Sequence, residues 1–296
     1  MKDRIFSTVG LWAIVGLIIW VGGLFSVAEQ AAFCLLAVLV CAAQYEFYQL
    51  VKKMDGTRHP DTTGVVAGFI FLFALFFFGN VRMQANIYTS GAAILFGVHL
   101  ISLLKKPNHT PGLLKKFPTL YGFIYIPFML SALVAIARME TGVMLNRHSD
   151  GLYYVVWVFI ATKFTDVGGL LIGVPFGKHK IAPTISPAKS WEGCIGGLFF
   201  SALASAGFAW LCRTYLGATD FMLPLKAAIL ALPLAALSIP SDLVESVFKR
   251  QASEKDSGKT IPGIGGALDL IDSLVLTAPV ALILLSYCLE WAKRAE

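Results

Sequence analysis

Apolar runs of about 20 residues recur along the whole chain, separated by short polar connectors, at about 8–27, 31–51, 62–80, 88–104, 119–137, 152–175, 193–212, 224–248 and 274–291. A helix of that length spans the hydrocarbon of a bilayer, roughly 30 Å thick. The pattern predicts an all-α, polytopic integral membrane protein with about nine transmembrane helices. No long polar stretch intervenes, so residues 1–296 are read as a single integral membrane domain. The first run follows Lys2 and Arg4 as a signal peptide would, but no small-residue cleavage site follows, so it is read as a retained helix.

Charge orients this pattern. Lys and Arg crowd into alternate connectors: Lys2 and Arg4, 52–61, 105–118, 178–189 and 249–259. Positive connectors stay on the cytoplasmic side, which predicts a cytoplasmic N-terminus and an outside C-terminus. Both unusual polar segments, 178–192 and 249–273, then share the cytoplasmic face and can build one site.

Composition sharpens the class. The chain is 57% hydrophobic and 14% charged, against about 25% charged in soluble domains. Mean hydropathy is +0.72. A net charge of +6 speaks for topology and anionic headgroups rather than nucleic acid. Cys34, Cys41, Cys194, Cys212 and Cys288 all lie in apolar runs without metal-type spacing and read as small core residues.

The chemistry concentrates near the C-terminus. In "SDLVESVFKR", Asp242, Glu245, Ser246 and Lys249 stand at i, i+3, i+4 and i+7, one face of a helix. Asp269 and Asp272 share a face if "LDLIDS" is helical. Carboxylates gathered beside Lys249, Arg250, Lys255 and Lys259 suit a hard divalent ion such as Mg²⁺, which takes a few carboxylates plus substrate phosphates. A solvated juxtamembrane helix end would be written the same way. Asp242, inside an apolar run, leans towards function because an intramembrane charge is costly.

The triplet Gly258-Lys259-Thr260 ends like a phosphate-binding loop, but Ser253 stands where that loop's first glycine belongs, so the P-loop reading fails. Gly263, Gly265 and Gly266 would let backbone approach a phosphate. In the upstream segment, Ser186-Pro187 predicts a helix start with Ser186 as N-cap, and Lys189 in the first turn would favour an anion. A polybasic loop on lipid headgroups is the plain alternative. Asp166 lies within an apolar run, and Glu46 and Lys163 are read as snorkelling side chains.

Together the two segments resemble the phosphatidate cytidylyltransferase (CDP-diacylglycerol synthase) family. Its signature is matched by Ser246, Lys249-Arg250, Lys255-Asp256, Gly258, Pro262-Gly263, Gly265-Gly266, Asp269 and Asp272. "GKHKIAPTISPAKSWEG" resembles the family's upstream segment, and Asp166 matches the aspartate of its D-x-G-A-Y motif. The chain departs at Ile264, Leu270 and Leu170, where the family carries histidine, arginine and an aromatic.

The resemblance implies cytidylyl transfer from CTP to phosphatidate, giving CDP-diacylglycerol and pyrophosphate in phospholipid biosynthesis. It implies Mg²⁺ as cofactor, with a second, monovalent cation left open. By motif position, Asp242, Asp269 and Asp272 become first-choice metal ligands, with Asp256 and Asp166 as further ones. Lys249 becomes the catalytic phosphate-neutralising cation. Lys178, Lys180, Ser186, Lys189, Ser190, Ser246, Arg250, Lys255, Lys259, Gly265 and Gly266 become substrate contacts.

Residues 151–296 are expected to form the catalytic half of a multi-pass cell-membrane enzyme with its site on the cytoplasmic side. Residues 1–150 are expected to provide a scaffold and a surface for homodimer contacts. A CTP-dependent lipid-alcohol kinase and a CDP-archaeol-type synthase are the neighbouring alternatives, and an ion-coupled transporter the remote one.

Overall fold

The computed structural model describes residues 27–55, 61–78, 87–108, 110–139, 150–216, 218, 221–261 and 265–295. The first expected span and Ile264 lie outside them. The described residues form ten α-helices and one hairpin. They are α1 (Ala28–Asp55), α2 (Asp61–Phe78), α3 (Ile87–Ser102), the short α4 (Gly112–Lys116), α5 (Pro118–Phe123), α6 (Met129–Ala137), α7 (Asp150–Phe176), β1 (Lys180–Ala182), β2 (Ser186–Ser190), α8 (Trp191–Thr214), α9 (Pro224–Gln251) and α10 (Ala267–Ala295).

A π-helical turn, Ile124–Phe128, joins α5 to α6, so that Pro118–Ala137 reads as one span. Six described helices are long and apolar enough to cross a membrane, with mean hydropathy 1.7–2.1. The third and fourth expected spans appear as shorter apolar helices, Thr62–Phe78 and Ala92–Lys105. Helix is the form these runs take because lipid offers backbone amides no partner outside the segment.

α10 is the central strut. It packs on α9, α6, α1 and α7, while α7, α8 and α9 pack on one another in sequence. The α7–α8 contact depends on small residues: a Cβ on Gly168 would lie 2.6 Å from the Gly196 carbonyl oxygen. Such close backbone approach is how membrane helices associate without a hydrophobic driving force.

Three sequence expectations are corrected. Ser186 does not begin a helix. Residues 186–190 pair antiparallel with 180–182, with Lys180 opposite Ser190 and Ala182 opposite Ser186. The hairpin wins because Ile185 at its tip is buried against Leu243 and Val247 of α9. The N-cap is instead Ser190, whose Oγ accepts from Gly193 N at 3.2 Å. The cysteines, all free, are not uniformly core: Cys212 is buried, whereas Cys34 is exposed on α1. Glu46 and Lys163 do not snorkel; both turn inward, Glu46 into a buried site and Lys163 towards Asp272.

Candidate active site

The last two turns of α9, the first turns of α10 and the middle of α7 meet the hairpin at one end of the bundle. Asp242, Glu245, Ser246 and Lys249 do share a face, but the helix end is buried all round, since Leu243, Val244, Val247 and Phe248 are buried as well. That burial excludes the solvated helix end.

A buried charge must find an opposite charge or a hydrogen-bond partner. Here, lysines from three elements supply them. Lys249 is paired with Glu245, one turn back, and donates to Asp269 Oδ1 at 2.7 Å. From β2, Lys189 pairs with Asp242 and donates to the Ile239 carbonyl at 3.3 Å. From α7, Lys163 lies 3.5 Å from Asp272 Oδ1 and 3.7 Å from Asp166 Oδ2. Five carboxylates thus face three ammonium groups, a formal excess of two acids over bases.

Three of the carboxylates converge. One carboxylate oxygen from each of Asp242, Glu245 and Asp272 lies within 4.8 Å of the others. Glu245 is wholly buried, yet its Oε1 has no hydrogen-bond partner. Leaving such an oxygen bare costs about 1–3 kcal/mol or more for a charged group. Three converging hard carboxylate oxygens and an orphaned buried oxygen together fit a divalent cation such as Mg²⁺.

Asp269 is spent differently. Its Oδ2 accepts from Ser257 N (2.9 Å), Ser257 Oγ (2.8 Å) and Gly266 N (2.7 Å), fastening the glycine-rich segment to α10 while Oδ1 holds Lys249. It therefore lies outside the three-carboxylate group. Asp256 is exposed and also lies outside it, and Asp166 touches the group through Lys163.

Among the expected substrate contacts, Lys189 lies in the cluster and Ser246 is buried on α9 beside Glu245. Arg250 reaches over the hairpin, with Nε 3.4 Å from the Ile185 carbonyl oxygen. Lys255 and Lys259 are exposed on the glycine-rich segment. Lys178 and Lys180 line a separate open hollow with His179, Trp191 and Glu192, in which His179 Nδ1 lies 2.6 Å from Glu192 Oε1. Ser186 sits at the hairpin and Ser190 caps α8.

Gly265 takes a φ of +126°, a conformation open to glycine, and its carbonyl bridges back to Ile261 N at 2.8 Å. Burial pulls the Lys189 ammonium pKa down, but the carboxylates of Asp242, Asp166 and Asp272 outweigh it, and the pKa stands above the ordinary lysine value.

Sequence reasoning missed three contributors. Lys163 sits in mid-span, where its only signal is the cost of a lysine there. Glu46 of α1 is buried among backbone amides and hydroxyls of the glycine-rich segment. Tyr125 occupies the π turn, its ring 5.4 Å from Phe248 and 5.1 Å from Phe47, with a buried hydroxyl that has no hydrogen-bond partner. π turns mark functional sites often enough to note, but no sequence feature announced this one.

A membrane bundle whose buried acid–lysine cluster sits beneath a glycine-rich segment is an arrangement for handling polyanions, and the chain belongs to the cytidylyltransferase family, whose profile matches residues 2–288. Within that family it is similar to the phosphatidate cytidylyltransferase of Haemophilus influenzae, 29% identical over 94% of this chain and 96% of that protein. It is also similar to the Staphylococcus aureus protein of the same name, 38% identical over 52% of this chain and 57% of the relative.

Proposed function

We propose that this protein transfers the cytidylyl group of CTP to phosphatidate, giving CDP-diacylglycerol and pyrophosphate. The observation that carries the reading is the convergence of Asp242, Glu245 and Asp272 with Lys163, Lys189 and Lys249 at the junction of the two polar segments. Family membership and the relatives' names support the same reaction.

The phosphatidate headgroup is already an anionic nucleophile, so the reaction needs no serine–histidine pair. An oxygen of that headgroup attacks the α-phosphorus of CTP, the bond to the bridging oxygen of the β-phosphate breaks, and pyrophosphate leaves. What opposes the step is charge: two polyanions must meet. Catalysis is positioning and electrostatic neutralisation.

Lys249 is held by Glu245 and Asp269 so that its ammonium faces the site with little freedom left to lose, and it neutralises the phosphate in the transition state. Lys189 and Lys163 hold Asp242 and Asp272 in place, and can themselves turn to phosphate oxygens. Mg²⁺ would be held by Asp242, Glu245 and Asp272, where it supplies Lewis-acid neutralisation of phosphate oxygens. Asp269 acts through Lys249 and the glycine-rich segment, and Asp256 and Asp166 stand at the margin.

Lys255, Lys259 and Arg250 reach the nucleotide phosphates from the exposed side, and Lys178 and Lys180 meet phosphate headgroups at the membrane surface. The Lys and Arg distribution supports nine spans, an N-terminus in the cytoplasm and a cytoplasmic site at headgroup depth in a cell membrane. Acyl chains remain in the bilayer along exposed apolar faces such as Leu170, Leu171 and Val174 of α7. Phe69, Ile70, Phe73 and Phe77 of α2 offer a face for lipid or for a homodimer contact.

The test is a product assay. Purified protein in detergent micelles with phosphatidate and labelled CTP should yield a labelled lipid and pyrophosphate, and chelation of Mg²⁺ should stop it. Release of CDP instead of pyrophosphate would assign a kinase. No CDP-lipid under any acceptor would sink the reading.

A further inference from the structure

Glu46 stands far from the cluster in sequence, yet its carboxylate contacts Ser257 and Thr260 of the glycine-rich segment and Leu268 at the start of α10. Its Oε2 accepts from Leu268 N at 2.9 Å and lies 3.0 Å from Ser257 Oγ, and its Oε1 accepts from Thr260 Oγ1. Ser257 and Leu268 are 211 and 222 residues away along the chain. The carboxylate is buried, with only 6% of the residue exposed.

The glycines on either side are shaped to this carboxylate rather than to a ligand. A Cβ on Gly258 would collide with the Glu46 carboxylate, its three nearest atoms all belonging to that side chain. A Cβ on Gly266 would collide with Glu46 Oε2 and Ser257 Oγ. The contacts then run on: Ser257 Oγ also reaches Asp269 Oδ2 at 2.8 Å, and Asp269 Oδ1 holds Lys249 at 2.7 Å. A continuous polar path of three links therefore joins α1 to Lys249.

We propose that Glu46 is a positioning residue for the reaction: it clamps residues 257–268 onto the bundle and, through Ser257 and Asp269, holds the Lys249 ammonium where phosphate must arrive. The inference rests on the function proposed above. It gives the N-terminal half a part in the site beyond scaffold. Leu268 N and Thr260 Oγ1 donate to this one carboxylate, and the single hydroxyl proton of Ser257 is shared between Glu46 Oε2 and Asp269 Oδ2. Glutamine keeps the volume but turns an amide NH₂ towards donors, so Glu46→Gln breaks the clamp without opening a cavity. Loss of an outer partner of this kind typically costs about 10–100-fold in activity.

The experiment uses the full-length chain in micelles, with kcat and KM for CTP measured alongside thermal unfolding. Glu46→Gln is expected to lower kcat about 10–100-fold with KM for CTP changed less than about threefold. Ser257→Ala and Thr260→Val, which each remove one hydroxyl, are expected to lower kcat by smaller factors and cover the case in which Glu46→Gln does not fold. Gly258→Ala should impair the wild type but add little to Glu46→Ala, because the group it collides with is gone. Absence of wild-type CDP-lipid formation would defeat the function reading itself. An active wild type with kcat unchanged in Glu46→Gln, whatever the unfolding temperature does, would overturn this inference alone, as would full additivity of Gly258→Ala with Glu46→Ala.

Discussion

Replacing Lys249 by methionine keeps the length and most of the volume of the side chain and removes one charge. In the folded protein that charge sits between Glu245, wholly buried, and Asp269, whose side chain is 10% exposed. Its removal leaves the Glu245 carboxylate with no partner on either oxygen. Breaking a buried pair from one side costs about 3–5 kcal/mol, because a buried charge is left uncompensated. For a chain of this size that corresponds to a fall in Tm on the order of 10 °C.

Lys249→Met/Glu245→Gln should recover most of this loss, since the stranded charge goes with its partner. Activity should behave in the opposite way: both variants should be inactive, because no ammonium is left to meet the phosphate. Thermal unfolding in micelles and the CDP-lipid assay separate the two effects. A double variant no more stable than Lys249→Met would refute the buried-pair account. Wild-type turnover in either variant would remove Lys249 from the chemistry.

Other expectations follow from the same geometry. Asp272→Asn and Asp242→Asn should each raise the Mg²⁺ concentration needed for half-maximal activity by about 10-fold or more, read from a metal titration; an unchanged titration would remove them as ligands. Ser190→Ala should cost about 1 kcal/mol by uncapping α8, visible as a small fall in Tm, whereas Ser186→Ala should not. Because the folded pKa of Lys189 is raised, its stabilisation is fully present below the ordinary lysine value and is lost as pH rises through the folded pKa. The Tm difference between wild type and Lys189→Met should hold steady from neutral pH and shrink only above about pH 10.4.

Much of the site's composition was readable along the chain. The spacing of Asp242, Glu245, Ser246 and Lys249 placed them on one face, and α9 does present them together. The order and separation of the two polar segments carried the family resemblance, which the family profile over residues 2–288 bears out. The Ser186-Pro187 signal misled because serine before proline suits a strand entry as well as a helix cap, and docking of Ile185 on Leu243 and Val247 decided between them. Glu46 and Lys163 were misread for a related reason: one ionisable residue in an apolar run looks the same whether it reaches for headgroups or for a partner in the protein.

What the sequence determined alone is what repeats locally. Long apolar runs must be helices in lipid, alternation of cationic connectors biases their orientation, and helical spacing gathers side chains on one face. Which charge meets which was decided only by tertiary structure. Lys189 finds Asp242 across 53 positions and Glu46 finds Leu268 across 222, and no periodicity records a contact between elements so far apart. The physical reason is that a buried ion needs a partner at about 3 Å, and only the packing of α1, α7, the hairpin, α9 and α10 brings one there.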